Sequence, residues 1–401
     1  MDSDELIGSS GGFAEIHEAV MSHEPVTGLT HAFYRYPACF PPGFAESVIT
    51  AFSEPGDVVL DPYMGGGTAV VEAHSLGRRA FGGDISALAN FITRVKTTVV
   101  SDDQLTHLEE WLDVTLRDSN LHQSVERQTK WSLGGYQRNI SGPQTWPIRK
   151  LLEIFLSRIP ELGETSLQCF ARCLLLRTAK WALDCREVVP TAQQFRDRLP
   201  ESFLQMSSGA RELRCRVESL ARRGLFFRPE TARLDVKSIA EYVGTKSPRS
   251  PRLILTSPPY PGVHVLYHRW QVKGRRETPA PFWIAGCEDG NGAAHYTLGD
   301  RKQKGWKGYF RRLQQSYRAM AQVSDQGTIL VQLLAFSHPD AQLALTLSAL
   351  DEAGFVEFKP IGATDSRDGR MWRTVPNRRW YARQKGELPS SSEVVLFHRF
   401  P

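Results

Sequence analysis

The sequence predicts an α/β fold of the Rossmann-like kind, in which helices cover both faces of a sheet and a mainly helical insertion interrupts the chain. Two short strings indicate this fold: DPYMGGGT at residues 61–68 and TSPPY at residues 256–260. Each follows an apolar, strand-like run, at residues 58–60 and 253–255. Because open α/β sheets bind ligands beyond the carboxyl ends of their strands, we expect both strings at one site.

The first string predicts a loop that holds a small ligand. Asp61 ends the strand-like run, three glycines allow a tight turn close to a ligand, and Thr68 opens an amphipathic helix. A second apolar stretch ends at Asp84, at the spacing of about 20 residues where nucleotide-binding units place a carboxylate for ribose hydroxyls. A dinucleotide loop or a plain glycine turn also accounts for the glycines alone, but the pairing with Asp84 favours a cofactor loop.

The second string predicts acceptors for an amino group. Pro258 and Pro259 keep the chain extended, so the carbonyls of Ser257 and Pro258 stay out of helix and can accept hydrogen bonds. Tyr260 offers a flat face on which a planar base can stack. A proline-rich turn explains two prolines by themselves. A strand, this loop and an upstream glycine loop in one chain favour a reaction site.

With these motifs the chain resembles the amino-group DNA methyltransferases that use S-adenosylmethionine. Residues 30–42 look like the segment that helps hold the methionine part of the cofactor, and residues 52–63 are similar to the family's cofactor motif. Residues 233–235 resemble the strand end whose carboxylate meets the adenine amino group. The sequence departs from the family at Tyr63, where Phe is commoner, and at residues 64–66, where a small-Gly-Ser run is more usual.

The resemblance implies a Rossmann-like methyltransferase sheet, S-adenosylmethionine as cofactor, and neither a metal nor a catalytic cysteine. The cofactor-binding residues that it implies are Tyr36, Pro37, Phe40, Asp61, Pro62, Tyr63, Gly65, Gly67, Thr68, Asp84, Ile85, Asp235 and Thr256. The implied catalytic residues are Ser257, Pro258, Pro259 and Tyr260. Direct transfer to the exocyclic amine of a flipped base would follow. In the family Ser-Pro-Pro-Tyr mostly accompanies N4-cytosine transfer and Asp-Pro-Pro-Tyr N6-adenine transfer, so Ser257 favours cytosine.

Chain order predicts three parts. Between Asp84 and Asp235 lie about 150 residues, far more than one crossover helix needs. Helical patterns at residues 104–112 and 169–176 indicate a mainly helical insertion. We therefore expect a cofactor-loop part at residues 1–99, an insertion at 100–228 that caps the site, contacts DNA or only packs, and a reaction-loop part at 229–401.

Basic and aromatic residues cluster after the reaction loop, at residues 264–276, 301–312 and 367–380. Arginine and lysine neutralise phosphates, and interleaved aromatics can stack on bases. A solvated charged face is the alternative. The nucleic-acid-binding residues predicted here are His264, Tyr267, Arg269, Trp270, Lys273, Arg275, Arg276, Arg378 and Arg379.

Composition sets the remaining expectations. The 401 residues have a net charge of only +5, so DNA contact has to come from local clusters. The six cysteines lack zinc-ribbon spacing, and no apolar run is long enough for a membrane span. We expect a cytoplasmic enzyme that binds double-stranded DNA, as monomer or dimer, with or without a cognate restriction endonuclease. Adenine N6 transfer, RNA or protein amino-group methylation, and a non-enzymatic nucleic-acid-binding subunit are the alternatives.

Overall fold

The computed structural model describes residues 10–22, 27–36, 41–125, 129–261, 268–274, 276–290, 293–298, 306–336, 338–359, 368–375 and 391–401. In chain order the strands are β1 (Val58–Asp61), β2 (Arg79–Asp84), β3 (Glu230–Arg233), β4 (Leu253–Thr256), β5 (Trp270–Val272), β6 (Arg276–Thr278), β7 (Ile329–Ala335), β8 (Val356–Phe358), β9 (Met371–Val375) and β10 (Ser391–Arg399). The α-helices are α1 (Ser10–Met21), α2 (Pro42–Phe52), α3 (Thr68–Ser75), α4 (Ala87–Thr97), α5 (Asp102–Asp118), α6 (Thr129–Leu133), α7 (Trp146–Arg158), α8 (Thr165–Leu183), α9 (Ala192–Arg222), α10 (Ile239–Lys246), α11 (Ala280–Ala285), α12 (Lys307–Ala321) and α13 (Pro339–Asp351).

A mostly parallel sheet forms the centre of the molecule. Its strand order is β3-β2-β1-β4-β7-β10-β8, and β9 pairs with β10. The first five strands are parallel, whereas β10 runs antiparallel to β7, β8 and β9. The chain moves outward from β1 to β3 and returns on the other side at β4, so the sheet switches direction between β1 and β4. Ligands of doubly wound sheets bind at this switch point.

Burial on both faces explains why the two central strands read as continuous apolar runs. Val59 and Leu255 point to the face covered by α1, α2 and α3. Leu60 and Ile254 point to the opposite face, which α10, α12 and α13 cover. The alternation follows from the two-residue period of a strand. The predicted α/β class, with helices on both faces of the sheet, is confirmed.

The segment between β2 and β3 is helical, from α4 to α9. Capping boxes start α5 at Ser101 and α9 at Thr191, where each side chain accepts from the backbone three residues on. The buried side chains of α5, α7, α8 and α9 share one core with α4, with α11 and with Trp270. The helical segment therefore packs onto the flank of the cofactor loop and onto the chain that follows the reaction loop. The boundaries at 100 and 228 stay a prediction.

None of the helices in the described residues is both long and apolar enough to cross a membrane.

Candidate active site

The two predicted loops meet at one cavity of about 420 Å³. Its wall comes from the residues that follow β1, β2, β3 and β4, as the switch point predicts. Predicted site residues in the wall are Tyr36, Pro62, Tyr63, Gly65, Asp84, Ile85, Asp235, Ser257, Pro258, Pro259 and Tyr260. The cavity thus joins chain segments that are about 200 residues apart in sequence.

Asp84 is held at the end of β2 by two backbone donors. Its carboxylate accepts from the backbone N–H of Gly65 at 3.0 Å and from that of Ser86 at 2.7 Å. Ser86 also caps α4 by accepting from Ala89, which fixes the turn after the strand. Burial raises the pKa of Asp84 to about 6, although both backbone bonds lower it. The carboxylate is ionised at neutral pH and oriented toward the cavity.

Asp61 lies behind the wall and ties the two loops together. Its Oδ1 accepts from the Thr256 hydroxyl at 2.8 Å and from the Tyr63 backbone N–H at 3.1 Å. Burial raises the pKa of Asp61 to about 7, against the two hydrogen bonds that lower it. Since Thr256 directly precedes the reaction loop, this bond fixes the distance between the ends of β1 and β4. Asp61 and Thr256, together with Gly67 and Thr68, are absent from the cavity wall formed by the described residues.

Two glycines of the loop have no room for a side chain. Gly67 has a φ of +77°, and a Cβ there would lie 2.5 Å from Thr93 Oγ1. A Cβ on Gly66 would lie 2.6 Å from Tyr36 Cβ. The Tyr36 side chain therefore packs directly on the loop, which only glycine permits. The buried Lys96 donates from Nζ to the Gly66 carbonyl at 2.8 Å, and this bond fixes the loop to α4.

Hydrogen bonds and ring contacts of His268 organise another part of the cavity wall. His268 Nδ1 lies 2.8 Å from the Tyr36 hydroxyl and 3.1 Å from Ser86 Oγ. Its ring lies against Tyr296, with centroids 3.9 Å apart. Burial lowers the pKa of His268 to about 3, so the ring is neutral at working pH. All three rings line the cavity.

Sequence reasoning missed His268, Tyr296 and Lys96. His268 lies in a run that we predicted to contact DNA, and nothing in its neighbours indicates a turn back to the cofactor loop. Lys96 reads as a solvent-exposed lysine at the end of a helix. For His268 and Lys96, only tertiary packing reveals the role of the residue, and the local sequence pattern does not.

The reaction loop presents a serine whose proton is already used. Ser257 Oγ donates to the Leu333 carbonyl at 2.8 Å, and it lies 3.4 Å from the Tyr260 hydroxyl. A hydroxyl has one donor and two lone pairs, so Ser257 Oγ is left as an acceptor toward the cavity. The Tyr309 hydroxyl donates to the Pro259 carbonyl at 2.8 Å, which fixes the second half of the loop.

Tyr260 is fixed by an ion pair between strands β9 and β10. Its hydroxyl donates to Glu393 Oε1 at 3.0 Å, and Arg373 holds the other carboxylate oxygen with Nη2 at 2.5 Å. Burial raises the pKa of Tyr260 well above its usual range, so the phenol stays neutral. The ring is only partly buried and borders the cavity. Glu393 and Arg373 were not predicted from sequence.

The predicted nucleic-acid residues divide into three groups. Trp270 is 1% exposed and donates from Nε1 to the Tyr34 hydroxyl at 3.0 Å, which corrects its assignment to DNA contact because it belongs to the core. Arg269 pairs with Asp289 at 2.7 Å and is mostly buried. Lys273 and Arg276 are exposed on the β5–β6 hairpin. Outside the described residues lie His264, Tyr267, Arg275, Arg378 and Arg379, as well as the predicted cofactor residues Pro37 and Phe40.

The cavity suits a nucleoside cofactor with a small charged tail. Its volume is in the range of small-molecule sites, and Asp84 and Asp235 supply carboxylates for polar hydrogens at the ends of β2 and β3. Asp235 is exposed, and its side chain also accepts from the Lys237 backbone N–H. The glycine loop gives close backbone approach beside Tyr36. A doubly wound sheet with this site defines the class of nucleoside-binding α/β proteins.

Comparison with known proteins gives the family resemblance over part of the chain. Residues 16–90 match the N6/N4 methyltransferase family model, described as DNA methylase. Type II methyltransferase M.MvaI of Kocuria varians is 29% identical over 96 residues, which is 23% of this chain and 21% of that protein. Type II methyltransferase M.MjaII of Methanocaldococcus jannaschii is 31% identical over 77 residues, which is 19% of this chain and 14% of that protein. The matches thus span about a fifth or less of those relatives.

Two solved structures also overlap with the chain. TrmN from Thermus thermophilus gives a TM-score of 0.30 at 14% identity, covering 89% of this chain and 48% of TrmN. The rRNA methyltransferase AviRa from Streptomyces viridochromogenes gives 0.30 at 10% identity, covering 99% of this chain and 93% of AviRa.

The family and relative matches confirm the resemblance to the amino-group DNA methyltransferases. They are consistent with S-adenosylmethionine as the methyl donor. The family match at residues 16–90 includes the glycine loop and Asp84 and ends well before the reaction loop.

Proposed function

We propose that this protein is a DNA methyltransferase that uses S-adenosylmethionine to methylate the exocyclic amino group of a flipped base, with N4 of cytosine favoured. The observation that carries the proposal is the single cavity lined by both the cofactor loop and the reaction loop. A cofactor loop alone would suit many nucleotide-binding proteins, but Ser257 and Tyr260 at the same cavity supply a second place for a planar amine.

The chain's own residues would hold the cofactor by its polar groups. Asp84 would accept the ribose hydroxyls, and Asp235 would accept from the adenine amino group. Tyr36, packed on the glycine loop, would border the methionine part. When bound, S-adenosylmethionine supplies a methyl group on a positively charged sulfonium.

The reaction loop would prepare the amine for attack. Ser257 Oγ donates to Leu333 and so can accept one amino hydrogen, and the Pro258 carbonyl can accept the other. These acceptors would orient an amine whose lone pair is otherwise delocalised into the ring. Tyr260, held by Glu393, would stack on the base. Alignment of reacting groups lowers an activation barrier by several kcal/mol. These contacts would supply that alignment for methyl transfer.

A methyl-transfer assay tests the class of reaction. The purified protein is incubated with isotope-labelled methyl donor and equal amounts of duplex DNA, structured RNA and protein substrate. We expect label in DNA, and label only in RNA or protein would overturn the proposal. Ser257→Ala serves as a control, because it should lose transfer while retaining the cofactor site. A cognate endonuclease and the oligomeric state stay predictions.

A further inference from the structure

A cluster of cations surrounds Trp181, on the helical segment and on the chain that precedes Tyr36. Its members are Arg35, Arg177, Lys180, Trp181, Arg186 and Arg198, and we call this set the Trp181 patch. In α8 the spacing of Arg177, Lys180 and Trp181 by three and four residues places them on one face of the helix. Arg198 comes from α9, Arg186 from the loop after α8, and Arg35 from the segment before the glycine loop.

Two of the arginines make cation–π contacts with the Trp181 ring. The guanidinium of Arg186 lies 4.7 Å from the ring centroid of Trp181, and that of Arg198 lies 5.5 Å from it. Lys180 Nζ lies 4.6 Å from the centroid of Tyr34 and donates to the Arg35 carbonyl at 2.5 Å. Arginine stacks through its face, and the N–H donors on its edge are the groups that bind a phosphate.

Among the described residues, carboxylates balance only part of this charge. In the part of the chain that the structure describes, Arg198 pairs with Glu201 at 2.5 Å, but no carboxylate forms an ion pair with Arg35, Arg177 or Arg186. Burial lowers the pKa of Arg177, and the neighbouring Arg198 and Arg35 add to that effect. Like charges held together in this way are unfavourable in the free protein and attract a polyanion.

The patch adjoins the cavity wall at Arg35 and the β5–β6 hairpin at Arg186. Arg35 directly precedes Tyr36, which lines the cavity. Arg186 bridges to Val272 of the hairpin, and the Cys185 backbone N–H donates to the Gln271 carbonyl at 2.8 Å. Lys273 and Arg276 of the same hairpin are also exposed cations, and His268 just before the hairpin lines the cavity.

We propose that the Trp181 patch binds the phosphate backbone of duplex DNA beside the cavity, so that the helical segment positions the duplex for base flipping. The inference rests on the proposed function and adds the surface that holds the substrate. Its basis is charge complementarity, since a backbone with a regular series of anions fits several fixed guanidinium groups on one surface.

Salt dependence of DNA binding tests the patch directly. The test variant is Arg35→Gln/Arg186→Gln, and the matched control is Arg222→Gln/Arg223→Gln, where both arginines are exposed at the far end of α9. That end lies about 35 Å along the helix from Arg198. Fluorescence anisotropy of a labelled duplex is measured from about 50 to 200 mM KCl. Melting temperature and circular dichroism verify that both variants are folded.

We expect the slope of log affinity against log salt to decrease in magnitude by about two in the patch variant and to stay unchanged in the control. A wild-type slope in the patch variant, with wild-type protein still methylating DNA, would overturn the patch and leave the proposed function intact. Absence of both DNA binding and DNA methylation in the wild type would overturn the proposed function together with the patch. If the patch variant lost affinity for hairpin RNA but not for duplex DNA, the patch would also be overturned as a DNA surface.

Discussion

Asp84 shows how the backbone of this fold prepares a carboxylate for a ligand. Two N–H donors orient it, burial destabilises its charge, and the cavity leaves one side open for hydroxyl donors. A neutral side chain at this position would lose the charged acceptor. Replacing Asp84 therefore measures how much a charge-assisted hydrogen bond contributes to cofactor binding.

Asp84→Ala is expected to weaken binding of S-adenosylmethionine by about 1.5–3 kcal/mol. Isothermal titration calorimetry measures this loss, with Asp102→Ala as the control because Asp102 pairs with Arg211 and Arg214 outside the cavity wall. Unchanged affinity in a folded Asp84→Ala protein would remove this residue from the site.

Cofactor affinity should also depend on pH through Asp84. The pKa of its carboxyl is raised to about 6, so the ionised acceptor is present above that pH and is lost as the pH falls through it. Calorimetry between pH 5 and 8 is expected to show affinity falling by up to about tenfold per unit below pH 6. In the Asp84→Ala protein, cofactor affinity should not change with pH over the lower half of this range. The same pH dependence in that variant would assign the titration to another group, with Asp61 first to be tested.

The reaction loop should separate chemistry from cofactor binding. Ser257→Ala and Tyr260→Ala are expected to lose single-turnover rate while cofactor affinity stays close to wild type, since both act on the base. Tyr260→Phe keeps the ring and removes the bond to Glu393, so a smaller loss of about tenfold is expected. Wild-type rates in Ser257→Ala and Tyr260→Ala would exclude the loop from the reaction.

At the scale of elements, α9 supports the segment that carries Tyr36. Gly209 in this helix lies so close to residues 29–33 that an added Cβ would be 2.0 Å from the Leu29 carbonyl oxygen. The Leu29 backbone N–H also donates to Glu212 Oε2 at 2.8 Å, one turn further along α9. The helical segment and the segment that carries Tyr36 are thus in close contact, which explains why they share a core.

Gly209→Ala is expected to lower the free energy of unfolding by about 1–3 kcal/mol, because backbone cannot move aside as a flexible side chain can. Gly244→Ala is the matched control, since Gly244 lies in α10 with open space where a Cβ would be added, and there alanine should stabilise by about 0.5–1 kcal/mol. Urea unfolding measures both. Equal effects of the two substitutions would contradict the close packing of α9 on residues 29–33.

At the scale of the whole molecule, local patterns predicted the sheet because its central strands are apolar on both faces and end in glycine or proline loops. The junction of residues 61–68 with residues 256–260 followed from the rule for strand ends. Trp270 could not be predicted, because a tryptophan within a basic run looks the same whether it faces DNA or packs against Tyr34. His268 and Lys96 depend on contacts between distant segments, which no local spacing records.

Nucleoside mass spectrometry of duplex DNA treated with the purified protein and labelled methyl donor identifies the base that the protein methylates. Labelled 4-methylcytosine is the result predicted, because Ser257 stands where adenine-directed relatives of this type usually carry Asp. Label found only in 6-methyladenine would contradict the choice of base and keep the class of reaction. DNA without any label, from folded protein that binds S-adenosylmethionine, would contradict the account of this site as a DNA amino-methyltransferase.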